Sequence, residues 1–165
     1  MSEQQVSRRA FVGLMGLGAS SMLLFGRSSA GAGAAMHFAV THTPAQWRQM
    51  LGAQRYAVLR DAATERPFSS PLLNEHRKGT FVCAGCAQQL FNSATKFESG
   101  TGWPSFWQVL PRAVVKRPDH SDFMERTEVL CARCGGHLGH VFDDGPKPTG
   151  LRYCMNGLAL NFRPA

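Results

Sequence analysis

Two short stretches, Cys83-Ala84-Gly85-Cys86 and Cys131-Ala132-Arg133-Cys134, decide the fold of this 165-residue chain. Each is a C-x-x-C unit, the spacing at which a tight turn presents two thiolates to one tetrahedral zinc ion. Apolar residues precede both units, and Gly135-Gly136 follows the second, as a tight turn requires. The sequence therefore predicts one zinc ion that ties two strand ends together across residues 87–130.

The four paired cysteines also permit other uses, namely two disulfides, a redox-active C-x-x-C or an iron–sulfur cluster. A redox pair normally lies at a strand-to-helix turn, and neither unit is followed by a helical pattern. Four thiolates would fill the coordination sphere of zinc, so the predicted site is structural rather than catalytic. Its expected ligands are Cys83, Cys86, Cys131 and Cys134.

Length and charge limit the classes of protein that this chain can belong to. A chain of 165 residues with 44% hydrophobic content can bury one ordinary core and forms one domain. The net charge of +7 includes +2 from residues 1–34, and four zinc-bound thiolates would lower the remainder further. With no block of consecutive basic residues, the composition argues against nucleic acid as a partner. A monomer is the default expectation.

The first residues are typical of an export signal. Arg8-Arg9 stands directly before the apolar stretch 10–26, which Arg27 ends. That stretch is at the lower limit of about 17–25 residues for a membrane span, and small residues with Ala-x-Ala cleavage sites follow it. We therefore expect residues 1–34 to be a twin-arginine signal peptide and the mature protein, residues 35–165, to be periplasmic. An uncleaved membrane anchor and an ordinary secretory signal are the alternatives.

The mature chain is predicted to be mainly β after a helical start. Thr43-Pro44-Ala45-Gln46 forms a capping box, and apolar residues then recur near helical period until about residue 61. Beyond Gly79, short apolar or alternating runs lie between Gly, Pro, Asp and Asn clusters, which is typical of antiparallel strands. The expected strands cover residues 80–82, 107–110, 113–116, 127–130, 141–142, 151–155 and 158–162.

The fifth cysteine, Cys154, has no partner at C-x-x-C spacing. Alternation places Arg152, Cys154 and Asn156 on one face of a strand. If the turn-rich segment 143–150 closes a hairpin about its centre, His140 faces Cys154. A lone cysteine is often only a small core residue, but an imidazole opposite the thiol suggests a nucleophile with an acid–base partner.

Three blocks, residues 95–106, 136–146 and 152–156, together with both C-x-x-C units, resemble the B-class peptide-methionine sulfoxide reductases. The resemblance covers roughly residues 43–162. It implies two antiparallel β-sheets with short N-terminal helices, a structural zinc ion, and reduction of the R epimer of methionine sulfoxide in proteins and peptides.

The resemblance also implies roles for individual residues. Cys154 matches the catalytic nucleophile, and Trp103 matches the indole that packs against the methyl group of the sulfoxide. The polar groups that bind the sulfoxide oxygen and supply its proton correspond to His137, His140 and Asn156. Arg152 and Asp144 match supporting substrate-binding residues, although a surface ion pair would explain them equally well.

One position departs from the family pattern. Many relatives have a second, resolving cysteine where this chain has Thr101. A sulfenic acid formed at Cys154 would therefore require an external reductant, either a thioredoxin-like protein or another thiol. Two other functions stay open from the residues alone: a zinc-ribbon binding module, which leaves Cys154 without a role, and a different cysteine-dependent enzyme.

Overall fold

The computed structural model describes residues 36–121 and 124–165. The predicted export signal, residues 1–34, lies outside the described residues. No helix in the described part of the chain has the length and apolar character needed to cross a membrane.

The described chain begins with one α-helix, α1 (Pro44–Asp61), which starts at the predicted capping box. Gln46 N donates to Thr43 Oγ1 (3.3 Å), and Thr43 N donates to Gln46 Oε1 (2.9 Å). Gly52 adopts a φ of 70° and interrupts the helix. The helical region is thus one kinked element, because only glycine takes this conformation without strain.

Nine strands follow in the described chain and form two antiparallel sheets, as predicted. The strands are β1 (Gly79–Cys83), β2 (Gln89–Asn92), β3 (Lys96–Phe97), β4 (Ser105–Phe106), β5 (Val114–Asp119), β6 (Arg126–Cys131), β7 (His137–Phe142), β8 (Arg152–Met155) and β9 (Leu160–Pro164). One sheet has the order β2-β1-β9, and the other has the order β3-β4-β8-β7-β6-β5. The central position of β8 in the larger sheet places Cys154 between β4 and β7.

The two sheets pack against each other through aromatic side chains. The Phe91 ring of the small sheet stacks on the Phe106 ring of the large sheet, with centroids 4.2 Å apart. Phe81 meets Phe106 edge to face at 4.9 Å, and all three rings are fully buried. Such contacts add to the free energy gained by burying the rings themselves. This aromatic core fixes the backbone of β4 and β8, on which the site is built.

Two of the predicted strands differ in the structure. Residues 107–110 form no strand: Trp107 N donates to Thr95 O, whereas Leu110 N donates to Leu90 O, so the segment has no single partner strand. The predicted strand 158–162 starts as a short 3-10 helix, Gly157–Ala159, and becomes extended only at β9. The short strands β2, β3 and β4 were not predicted, since they offer too little alternation to detect.

Candidate active site

Cys154 lies in the middle of β8 and faces His140. The hairpin register predicted from the turn-rich loop is confirmed, because the β7–β8 pairing sets His140 directly opposite Cys154. On its other side Cys154 is opposite Ser105 of β4. Tyr153 and Met155 point into the core, which leaves the Cys154 side chain on the half-buried face.

A cavity of about 140 Å³ exposes the Cys154 thiol. Its lining combines this thiol with an imidazole, a guanidinium, an indole and an amide; the lining residues are Thr64, Trp103, Arg126, Gly139, His140, Phe142, Cys154 and Asn156. A larger cavity of about 610 Å³ lies beside α1, but neither cysteine nor histidine lines it. The smaller cavity is therefore the one equipped for nucleophilic chemistry.

The close approach of β7 and β8 at the site depends on Gly139. A Cβ atom at this position would lie 2.1 Å from the Cys154 carbonyl oxygen. The φ of Gly139 is 151°, at the edge of the region that favours glycine. A side chain here would push the two strands apart and separate His140 from Cys154.

A chain of hydroxyl groups ends at the Cys154 sulfur. Thr101 Oγ1 lies 3.7 Å from Cys154 Sγ, within hydrogen-bonding range for sulfur. Thr101 in turn contacts Ser99 Oγ at 2.8 Å, and Ser99 contacts Ser105 Oγ at 2.7 Å. The Thr101 side chain therefore contacts the Cys154 sulfur directly.

His140 is held by a carboxylate from the neighbouring part of the sheet. His140 Nε2 lies 2.7 Å from Asp119 Oδ2, and Arg126 Nη2 donates to the same oxygen at 2.9 Å. Hydrogen bonds from Ser121 and then from His140 hold the pKa of Asp119 well below its usual range. Asp119 therefore stays ionised at neutral pH, and its hydrogen bond orients the His140 imidazole.

His137 occupies a different environment from His140. It is only 3% exposed and does not line the cavity, although its ring centroid lies 5.5 Å from that of His140. His137 Nδ1 contacts Glu128 Oε1 at 2.7 Å, and no partner for His137 Nε2 is found in the described chain. Burial lowers the pKa of His137 in spite of the adjacent carboxylate, so the ring is neutral at pH 7.

Glu128 stays ionised beside this neutral imidazole. Burial by itself would raise the pKa of Glu128, but hydrogen bonds from Arg117 and His137 lower it overall. The two histidines of the Gly136–Pro146 block thus each pair with a carboxylate, and each carboxylate pairs with an arginine. Only the His140 pair reaches the cavity.

Trp103 and Asn156 reach the cavity from two distant segments of the chain. The Trp103 indole Nε1 donates to the Glu65 carbonyl oxygen at 3.1 Å. Asn156 Oδ1 accepts a hydrogen bond from Glu65 N at 3.0 Å, and Asn156 Nδ2 donates to Leu138 O at 3.3 Å. These bonds fix an apolar ring and an amide around the thiol.

Arg152 and Asp144 form an ion pair at the edge of the site and do not line the cavity. Arg152 Nε and Nη2 each donate to one Asp144 carboxylate oxygen at 2.8 Å. The Arg152 guanidinium also lies 4.3 Å from the centroid of the Phe142 ring, which does line the cavity. The Asp144 hydrogen bond and then the interaction with Cys154 raise the pKa of Arg152, so the pair acts on the thiol directly and not only through Phe142.

The four paired cysteines converge between the two sheets. Their sulfur atoms all lie within 4.8 Å of one another, with Cys83–Cys134 at 3.7 Å and Cys86–Cys131 at 3.5 Å. A tetrahedral zinc ion with bonds of about 2.3 Å would separate its sulfur ligands by about 3.8 Å. None of the five cysteines forms a disulfide. The cluster therefore fits a tetrahedral metal site, and it connects the end of β1 to the end of β6.

Five residues that line the cavity or contact His140 were not named as candidates from the sequence. Gly139 and Phe142 lie within the 136–146 block, whereas Thr64, Arg126 and Asp119 lie outside all three blocks. Thr64, Arg126 and Asp119 carry no local motif, and the fold brings them to the cavity or to His140 from α1's exit, β6 and β5. Arg126 and Asp119 flank a loop, and such residues cannot be assigned to a site without the strand pairing. Asp119 and Arg126 also lie just outside the strands expected at residues 113–116 and 127–130, so no sequence signal marked either residue.

Comparison with known proteins places this arrangement in context. The sequence pattern described as the SelR domain matches residues 51–164. A protein of Bradyrhizobium diazoefficiens is 59% identical over 120 residues, which cover 72% of this chain and 86% of that protein. A protein of Methanosarcina barkeri is 54% identical over 126 residues, 76% of this chain and 89% of its own length. A third, from Leptospira interrogans, is 51% identical over 129 residues, 78% of this chain and 98% of its own length. All three are named peptide methionine sulfoxide reductase MsrB.

Proposed function

The chain belongs to the SelR-domain family of MsrB peptide methionine sulfoxide reductases, and from this membership we propose that it reduces the R epimer of methionine sulfoxide in proteins and peptides. The observation that carries the proposal is the pairing of Cys154 with His140 in a cavity that Trp103 and Asn156 also line. If the protein were only a zinc-ribbon binding module, the arrangement of these four residues around one cavity would have no function.

The chemistry follows from the residue types. The Cys154 thiolate attacks the sulfoxide sulfur, which becomes electrophilic when its oxygen accepts a proton or strong hydrogen bonds. His140, held by Asp119, supplies the proton, and the Asn156 amide supplies a hydrogen bond. The sulfoxide S–O bond breaks as its sulfur gains two electrons and leaves as the thioether of methionine. The oxygen and the proton from His140 end on Cys154, which loses two electrons and becomes a sulfenic acid.

Trp103 supplies the apolar wall of the cavity. An indole held by its N–H to a backbone carbonyl cannot turn, so its face is a fixed surface for the methyl group of the substrate. The methyl group of the sulfoxide would then contact Trp103, its oxygen would contact His140 and Asn156, and the remaining substituent would point out of the cavity. This arrangement accounts for selection of one epimer.

Epimer selectivity tests the proposed function directly. With dithiothreitol as reductant, the protein is expected to reduce dabsylated methionine R-sulfoxide and to leave the S-sulfoxide unchanged. Chromatographic separation of the dabsyl products measures both activities. Equal turnover of both epimers, or of neither, contradicts the proposal.

Regeneration of Cys154 is proposed to need an external thiol. Two thiols reduce the sulfenic acid to the free cysteine and release water and a disulfide. Thr101 stands at the position of the resolving cysteine, and the other four sulfurs lie together in the cluster. After one turnover without reductant, mass spectrometry should find sulfenic acid at Cys154; a disulfide to Cys83, Cys86, Cys131 or Cys134 would contradict external recycling.

The four-cysteine cluster is proposed to bind one structural zinc ion. The support is the sulfur geometry and the connection that the cluster makes between the two sheets. Zinc analysis of the purified protein should give one ion per chain. Iron with a visible charge-transfer band would instead indicate an iron site.

Export to the periplasm through the twin-arginine pathway is proposed from residues 1–34. Folding with metal bound before export would protect five cysteines from wrong disulfides in an oxidising compartment. Replacement of Arg8-Arg9 by Lys-Lys should keep the protein in the cytosol, and N-terminal sequencing of the exported form should begin near residue 35. Unimpaired export of the Lys-Lys variant would indicate another route.

A further inference from the structure

Asn156 begins a short helix but does not cap it. Asn156 is the N-cap of the 3-10 helix Gly157–Ala159, and its side chain makes no capping hydrogen bond. Two other 3-10 helices of the described chain, Pro71–Asn74 and Ser93–Thr95, behave differently. Asn92 Oδ1 accepts from Ala94 N at 2.8 Å, and Ser70 Oγ accepts from Leu72 N at 3.1 Å. Asparagine usually caps in this way, so the behaviour of Asn156 needs a cause.

The cause is Glu65, which lies 91 residues earlier in the chain. Its carboxylate accepts hydrogen bonds from Gly157 N and from Leu158 N, the latter at 3.0 Å. These are the first amides of the helix, the donors that an N-cap side chain would otherwise satisfy. Glu65 is only 7% exposed, and two backbone donors satisfy a buried carboxylate that would be costly alone.

The Glu65 backbone then holds the freed Asn156 side chain in place. Glu65 N donates to Asn156 Oδ1 at 3.0 Å, and Asn156 Nδ2 donates one hydrogen bond to Leu138 O. A primary amide has two N–H groups, so one remains for a ligand in the cavity that Asn156 lines. We infer that Glu65 is a positioning residue: it caps the 157–159 helix in place of Asn156, so that the Asn156 amide can donate to the sulfoxide oxygen.

This inference rests on the proposed function and adds a residue to it. If the cap is weakened, Asn156 can satisfy the helix amides itself, as Asn92 does in its own helix. Its amide would then turn from the cavity. The transition state then lacks one hydrogen-bond donor that would stabilise the negative charge developing on the sulfoxide oxygen. The position of Trp103 is unaffected, because its indole donates to the backbone carbonyl of Glu65 and not to the carboxylate.

The test is a double-mutant cycle with Glu65→Gln and Asn156→Ala. A glutamine has one acceptor oxygen and an NH₂ group that repels an amide donor, so one capping bond is lost. Glu65→Gln should lower kcat on the R-sulfoxide about 10- to 100-fold and leave KM within about two-fold. In the Asn156→Ala background the same substitution should have no further effect on kcat. Glu98→Gln, on the exposed surface, is the matched control and should keep wild-type kinetics.

Two further measurements separate positioning from general destabilisation. The rate of Cys154 alkylation by iodoacetamide and the metal content should stay at wild-type values in Glu65→Gln. If Glu65→Gln does not fold, Glu65→Asp, which keeps the charge one methylene shorter, replaces it in the cycle with a smaller expected loss. Wild-type kcat in the folded Glu65 variant, or multiplicative losses in the double variant, would overturn the inference. Absence of R-reductase activity in the wild-type protein would instead overturn the proposed function.

Discussion

The four-cysteine cluster and the Cys154 site place the same functional group in opposite surroundings. In the cluster each sulfur has three sulfur neighbours within 4.8 Å, at strand ends that the two sheets bring together. Cys154 lies in mid-strand with an imidazole opposite it, a hydroxyl beside it and a cavity in front. The difference supports a structural role for the cluster and a nucleophilic role for Cys154 as proposals, since the neighbours of a cysteine set its reactivity.

The electrostatics of the two regions differ in the same way. Hydrogen bonding among the thiols, with Cys131 first, lowers the pKa of Cys86 and raises the pKa of Cys83, because four sulfurs compete for protons at short range. A divalent cation would remove that competition by binding all four as thiolates. At the Cys154 site the neighbouring charged groups are not sulfurs: Asp119 contacts His140 and Arg126, and Arg152 interacts with Cys154 itself.

Cys154→Ser should give the largest effect on activity. A hydroxyl is a far weaker nucleophile than a thiolate, so R-reductase activity should fall at least about 10³-fold. Stability should change by less than about 0.5 kcal/mol, since the swap is nearly isosteric at a half-buried position. Activity with dithiothreitol and urea unfolding measure the two outcomes. A folded variant that retains activity would remove Cys154 from the mechanism.

Cys131→Ser should give the largest effect on stability. Loss of one of four ligands should release the metal and lower the free energy of unfolding by about 2–5 kcal/mol, the scale of a lost cross-link. Zinc analysis and urea unfolding at pH 7 measure this, with Cys154→Ser as the matched cysteine control. Equal stability of the two serine variants would show that the cluster does not act as a connection between the sheets.

Thr101→Cys should give Cys154 a thiol neighbour, as each cysteine of the cluster already has. The present 3.7 Å between Thr101 Oγ1 and Cys154 Sγ places a new thiol within reach of the sulfenic acid. After one turnover without reductant, mass spectrometry should detect a disulfide between positions 101 and 154. Thr101→Ser is the control and should accumulate sulfenic acid as the wild type does; a sulfenic acid that persists in Thr101→Cys would mean that the two side chains do not meet.

Asp119→Asn should reduce activity about ten-fold through His140, because a neutral amide forms a weaker hydrogen bond than a carboxylate and holds the imidazole less firmly. The decrease should appear in kcat/KM on the R-sulfoxide, with metal content and unfolding midpoint preserved. Asp61→Asn, at the exposed end of α1, is the control. An unchanged kcat/KM in Asp119→Asn would exclude Asp119 from the support of His140.

His137 should give the smallest effect, a pH dependence of stability. Burial holds its folded pKa below the ordinary 6.5, so the unfolded chain binds a proton first as the pH falls. Stability should therefore decrease from about pH 6.5 toward the lower folded pKa, and the decrease should be shallower in His137→Gln. Urea unfolding of both proteins at pH 7.0 and 5.5 measures the difference in the pH dependence of stability. A metal bound to the cysteine cluster would affect both proteins alike and so cancels in this difference. Parallel slopes would mean that His137 titrates alike in both states.

Local patterns predicted much of the fold and part of the site. The capping box at Thr43, the alternation through Cys154 and the turn-rich loop each depend on residues close in sequence, and each is confirmed. The strand expected at residues 107–110 was wrong because the backbone partners of Trp107 and Leu110 lie on separate elements. The roles given to His137, His140, Asn156, Trp103, Arg152 and Asp144 stay predictions, and the structure gives His140, Asn156 and Trp103 a place around the cavity.

The sequence by itself determined which sulfurs are paired and which is single, since C-x-x-C spacing and hairpin register are short-range properties. Only the tertiary structure decided that Asp119 supports His140 and that Glu65 caps the helix after Asn156. Those contacts join residues 21, 92 and 93 positions apart. The physical reason is that contacts between residues so far apart in sequence depend on strand pairing and burial in the folded chain. Local conformational preferences carry no information about them.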